Sequence, residues 1–230
     1  MPGLSVLVVA AHPDDEILGC GGTMARHAAD GDDVSILILG EGITSRDPQR
    51  DANKQKKALD ALHAQVDRAA KVVGASKTFL HHFADNRFDS VDLLDIVKVV
   101  EEVKAQVNPS IIYTHHGGDL NVDHRLTFQA VLTACRPQPG ESVRTIYSFE
   151  VASSTEWNAR TVGNAFLPTV YVDITRTLKA KLDAMSVYAG ELRDYPHPRS
   201  LRGLEVMAQR NGVEAGLEAA ERFVLIRNIL

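Results

Sequence analysis

Residues 4–22 read LSVLVVAAHPDDEILGCGG. The run Val6-Leu7-Val8-Val9 is apolar at every position, as expected of a strand buried on both faces. Where it ends, His12, Asp14, Asp15 and Glu16 follow within five positions. Strands buried on both faces belong to parallel sheets covered by helices, and ligands there bind beyond the carboxyl ends of the strands. Adjacent carboxylates repel one another unless something positive lies among them. The stretch therefore points to an α/β sheet with a polar site at its mouth.

The rest of the chain continues that pattern. Strand-like runs at 34–39, 77–82, 110–114, 144–151, 169–174 and 223–226 alternate with helical patterns at 23–29, 51–73, 91–107, 121–134, 175–189 and 201–210. This order predicts a doubly wound, mostly parallel sheet with helices on both faces. No repeat or linker divides the chain, so 1–230 reads as a single domain. Gly19, Gly21 and Gly22 do not have the G-x-G-x-x-G spacing, and the neighbouring acids would repel phosphate. They are expected to let a helix start close to the sheet.

Composition narrows the function classes. The 230 residues are 44% hydrophobic and 24% charged, ordinary for a soluble domain with a real core. A net charge of −5 argues against general nucleic-acid binding. No apolar run approaches the roughly 20 residues of a membrane span. Two cysteines, Cys20 and Cys135, make no disulfide framework, and a reducing cytoplasm is the simplest compartment.

A second polar cluster, THHGGDLNVDHR at 114–125, follows the strand at 110–114. Taken singly, its residues have plain readings: a histidine at a strand end is usually on the surface, and Asn121 or Asp123 would cap the next helix. Acids after a strand often complement a helix dipole. Taken together, His12 and Asp15 from one strand end and His124 from another are two imidazoles and a carboxylate, a common catalytic zinc set. Asp14 and Asp15 are neighbours and point apart, so one is free to reach a water while the other binds metal.

AHPDDE after the first strand, with the later D-x-N-x-D-H segment, resembles the LmbE-like (PIG-L) family of zinc-dependent N-deacetylases. The resemblance implies a Rossmann-like fold and removal of an acetyl group from N-acetylglucosamine-type sugars or glycoconjugates. It implies one Zn2+ held by His12, Asp15 and His124, with Asp14 as general base toward a zinc-activated water. Arg46 matches the family's substrate-contacting arginine. Many members carry a histidine three residues before the last ligand, where this chain has Asn121, so the electrophilic role is unassigned. His197, in the proline-flanked loop YPHPRS, is expected to supply that donor ahead of Asn121, in its own site or in that of a second copy in a homo-oligomer. Asp85, Asn86 and Arg87, after the third strand, are expected at the rim, where they would bind sugar hydroxyls. His115 and His116 are read as partners behind a ligand or as loop residues. Two other readings share these ligands: a zinc amidohydrolase for another small amide or thiol conjugate, and a non-catalytic zinc- or sugar-binding module.

Overall fold

The computed structural model describes residues 3–46, 50–51 and 54–230, with Arg46 as backbone only. Among them, β1 (Ser5–Ala10), β2 (Asp33–Gly40), β3 (Lys77–Phe83), β4 (Ile111–His115), β5 (Thr145–Phe149), β6 (Val170–Asp173) and β7 (Ala220–Asn228) form one sheet. Its order is β3-β2-β1-β4-β5-β7-β6. All pairings among the first five are parallel, and β7 runs antiparallel to both its neighbours. The helices are α1 (Asp15–Ala29), α2 (Lys56–Val72), α3 (Leu93–Val107), α4 (Val122–Ala134), α5 (Leu178–Val187) and α6 (Leu201–Ala215).

β1 shows why the apolar run matters. Val6, Val8 and Ala10 enter one core with Met24 of α1, Leu62 of α2 and Met185 of α5. Leu7 and Val9 enter the other with Val97 and Val100 of α3 and Val131 of α4. A period of two in a central strand thus feeds both faces. The chain winds outward through β2 and β3, then crosses to β4 on the other side of β1. That reversal opens a crevice between the ends of β1 and β4, where ligands bind in doubly wound sheets. His12 follows one of these strands, and His115 ends the other.

The main departure from the sequence reading is α1. The glycines suggested a helix beginning near residue 23, yet α1 begins at Asp15 and runs through them, kinked at Cys20 (φ −147°, ψ 26°). A kink orphans backbone groups on both sides. Here two buried residues take them: Lys181 donates to the Leu18 carbonyl, and Glu221 accepts from the amides of Gly22 and Thr23. Lys181 and Glu221 also pair with each other. The expected close packing is present, since a Cβ at Gly19 would sit 2.3 Å from the Phe149 ring and one at Gly22 2.8 Å from Ile174. β7 is longer than the apolar stretch 223–226 because its charged positions are paired, Glu221 with Lys181 and Arg222 with Glu150. α2 begins at Lys56, later than the expected 51, and α6 runs on to Ala215, where Gly216 takes the left-handed conformation (φ 73°).

Lys181→Met would leave Glu221 as a buried, unpaired charge, which typically costs about 3–5 kcal/mol. Adding Glu221→Gln keeps an acceptor for Gly22 and Thr23 without the charge, so the double variant should recover most of that loss in urea unfolding.

Candidate active site

The end of β1 builds the centre of the site. Asp14 is a non-glycine residue at φ 107°, a sparsely populated region that costs about 1–3 kcal/mol. In that conformation its carbonyl accepts from Ile17 and Leu18 at 3.0 and 2.9 Å, starting α1, while its amide donates to Glu16 Oε2 at 3.0 Å. The side chains of Asp14 and Asp15 then diverge, as expected of neighbours. Asp15 Oδ2 lies 3.2 Å from His12 Nδ1, 3.2 Å from His124 Nε2 and 3.5 Å from His115 Nε2. Asp14 Oδ2 lies 3.3 Å from Arg199 Nη1.

Each of the two outer imidazoles has a carboxylate behind it. His12 Nε2 is 2.9 Å from Asp123 Oδ2, whose other oxygen accepts from the Phe88 amide. His124 Nδ1 is 3.0 Å from Asp119 Oδ1, and Asp119 is itself held by the hydroxyls of Ser154 and Thr155. A carboxylate on one ring nitrogen fixes the orientation of the ring and turns the other nitrogen toward a metal. His12 Nδ1 and His124 Nε2 both turn to Asp15, and these three residues each offer an atom within 4.8 Å of the others. Two backed imidazoles and a carboxylate fit a divalent metal of the zinc type. A second grouping, His12 with Asp85 and Asp123, uses the backed nitrogen of His12, and its carboxylates serve to hold that ring.

Electrostatics point the same way. Burial pushes the Asp15 carboxyl up, but His124 and His115 outweigh it and hold the group well below the usual range. Burial pushes the His124 imidazole down, but Asp15 and Asp119 lift it to about 9. His12 is likewise held well above its ordinary value by Asp123 and Asp15 against burial. The space between the rings and Asp15 thus calls for positive charge, which protons or a cation supply. Asp14 differs: burial drives its carboxyl well above the ordinary range, with Arg199 pulling it down.

His115 and His116 divide between their two readings. His115 Nε2 accepts from the Ala11 amide at 2.8 Å, and its ring stacks on His124 with centroids 4.0 Å apart. It braces the site from behind. His116 Nε2 donates to the Asn164 carbonyl and belongs to the loop.

A cleft of ≈ 510 Å³ opens over this group, lined among others by Asp14, Asp85, Asn86, Asn121, Glu191 and Arg199. Asp85 and Asn86 line the cleft, Asp85 buried with its carboxylate held by Ser45 and Asn86, and Asn86 exposed, whereas Arg87 is exposed and outside the lining. The side chain of Arg46 lies outside the described residues. Asn121 caps α4 by accepting from Asp123 N at 2.8 Å and donates to Asn86 Oδ1 at 2.9 Å, so both ends of its amide are engaged. The loop at 194–200 does reach the site, but through Arg199 and not His197. His197 Nδ1 accepts the Arg199 amide at 3.0 Å and its ring meets Trp157 edge-on, outside the cleft lining. The turn that His197 closes aims Arg199, which Ser153 Oγ holds at Nε, toward Asp14.

The family model described as PIG-L, GlcNAc-PI de-N-acetylase, matches residues 7–135, the span that carries every proposed ligand. The chain belongs to this family. It is 28% identical to the 1D-myo-inositol 2-acetamido-2-deoxy-alpha-D-glucopyranoside deacetylase of Rhodococcus jostii, over 96% of this chain and 91% of that protein. It is 27% identical to the 4-oxalmesaconate hydratase of Pseudomonas putida, over 97% of this chain and 87% of that protein. The fold is shared with the N,N'-diacetylchitobiose deacetylase of Pyrococcus horikoshii, with a TM-score of 0.75 at 18% identity over 96% of this chain and 83% of that one.

His124→Ala should abolish stoichiometric binding of a divalent metal. Asp119→Asn and Asp123→Asn should each weaken it about 10–100-fold, the usual effect of losing a carboxylate behind a ligand. Competition with a chromogenic chelator measures both, and unchanged affinity in the two Asn variants would reduce those carboxylates to structural groups.

Proposed function

We propose that the protein is a zinc-dependent N-deacetylase that hydrolyses the acetamide of an N-acetylglucosamine-type sugar or glycoconjugate. The observation that carries this reading is Asp14: a buried carboxylate in the cleft, beside the ligand set but outside it, with an arginine on one oxygen. A binding module has no use for such a group. Zinc at His12, Asp15 and His124 would activate a water and polarise the amide carbonyl. Asp14 takes the water's proton as the C–O bond forms, then passes it to the nitrogen as the C–N bond breaks, giving acetate and a free amine. Arg199 holds one Asp14 oxygen and so turns the other toward the reacting atoms. Its remaining N–H groups are donors for the oxyanion, the part expected of His197. Asp85 and Asn86 face the sugar hydroxyls.

The names of the relatives support two chemistries, deacetylation and hydration. The cleft favours the first. Asp14, Asp85 and Glu191 line it, and a lining rich in carboxylates suits a neutral sugar and an amine product better than the carboxylate substrate that the hydratase's name denotes. Among the described residues no helix is long and apolar enough to cross a membrane, and both cysteines are free and buried. A cytoplasmic enzyme for a small glycoconjugate fits these features.

Acetate release from N-acetylglucosamine conjugates by the zinc-loaded protein tests the reading, with hydration of an unsaturated oxo-acid run in parallel. Hydration without acetate release would replace it. Asp14→Asn should keep the metal and lose about 10²–10⁴-fold in kcat, the usual contribution of a general base. Arg199→Met should lower kcat about 10²–10³-fold, as for loss of an oxyanion donor. A larger loss with His197→Ala than with Arg199→Met would return that role to the histidine.

A further inference from the structure

We infer that Glu16, with Tyr188 behind it, is a positioning residue that holds Asp14 in its working conformation; this rests on the reading of Asp14 as the base. Glu16 is completely buried and belongs neither to the ligand set nor to the cleft lining. A carboxylate in such a place forfeits hydration that an apolar side chain would not. Its two oxygens have separate partners. Oε2 accepts the Asp14 amide at 3.0 Å, and Oε1 accepts the hydroxyl of Tyr188, also fully buried, at 2.6 Å.

The need for such a clamp comes from the backbone. Asp14 stands at φ 107° and ψ −30°, where a residue with a side chain does not rest unless its surroundings hold it. Three anchors do so. Its carbonyl is fixed by the first turn of α1, its carboxylate by Arg199, and its amide by Glu16. The first anchor orients the following peptide and the second the side chain. Only the third fixes the peptide between Pro13 and Asp14, whose rotation sets φ. Without Glu16 that peptide turns, and the carboxylate leaves its place beside the ligand set although His12 and Asp15 stay where they are. Tyr188 makes the clamp rigid by anchoring Glu16 to the end of α5.

The test uses the full chain loaded with zinc, and reads kcat and KM for acetate release together with zinc affinity by titration calorimetry. Glu16→Ala should lower kcat about 10²-fold, the scale of misplacing a reacting group by about an ångström, with KM and zinc affinity close to wild type. Glu16→Gln, whose amide oxygen still accepts the Asp14 amide, should recover most of that loss. In an Asp14→Asn background Glu16→Ala should cost almost nothing further, because the two residues act as one unit. An equal loss in both backgrounds overturns the inference, as does wild-type kcat in Glu16→Ala. Wild-type turnover by Asp14→Asn alone would instead overturn the assignment of the base, and this inference with it. Tyr188→Phe, which removes a single oxygen, keeps the test open if Glu16→Ala does not fold. It should lower kcat about tenfold at unchanged zinc affinity, by loosening the same clamp, and unchanged kcat there also overturns the inference.

Discussion

A buried carboxylate cannot stand alone, and Asp15 is the point on which this molecule turns. It sits at the amino end of a helix, inside a crevice between two strands, with three imidazoles around one oxygen. Its charge is tolerable only because positive charge gathers there: His12 and His124 carry it because further carboxylates stand behind them, whereas burial holds the His115 ring well below its ordinary value. The sequence of acid, histidine, acid repeats on both sides, through Asp123 and His12 and through Asp119 and His124. Charge alternates outward from Asp15 until it reaches hydroxyls and backbone amides, which end the chain of demands without adding charge.

That arrangement needs rigid supports, and the sheet provides them. β1 and β4 are central and buried, each paired with a strand on both sides, so their ends are held from both sides. His115 extends their pairing by one bond: its Nε2 receives the Ala11 amide where a strand carbonyl would ordinarily stand. The backbone can therefore separate into a crevice without orphaning a donor. α1 is less regular, yet its kink is stitched on both sides by one ion pair. Its first segment can follow the geometry of Asp14 and Asp15, while its second follows the packing of the core.

The features legible in the sequence were those written within a few neighbouring positions. The doubly apolar β1, the cluster after it and His124 at a helix start were enough to single out His12, Asp15 and His124, which the fold brings within 4.8 Å of one another, because strand ends meet at one edge whatever the loops do. Partners distant in sequence were not legible. Arg199 lies 185 positions from Asp14, and only the fold shows that it, and not His197 two residues earlier, enters the cleft. The course of α1 through its glycines depends on Lys181 and Glu221, 163 and 199 positions from the groups they satisfy. Asp119 and Asp123 were visible as acids near a histidine, but which ring each would back depends on how the turn after β3 folds over α4. Asn121 read correctly as a cap, since capping is local.

The turn after β3 carries one more consequence. Its residues Asp85 and Asn86 line the cleft, yet Phe88 gives its amide to Asp123, and Asn86 is tied to Asn121 at the start of α4. The wall of the cleft and the post that steadies the His12 ring are thus one piece. A lineage that reshapes this wall also disturbs the grip on His12. The opposite bank is built the same way: beside Trp157, Ser154 and Thr155 hold the carboxylate behind His124, and two residues after His197, Arg199 reaches Asp14. Neither shore of the cleft can be remodelled without a matching change behind a histidine or an aspartate at its floor.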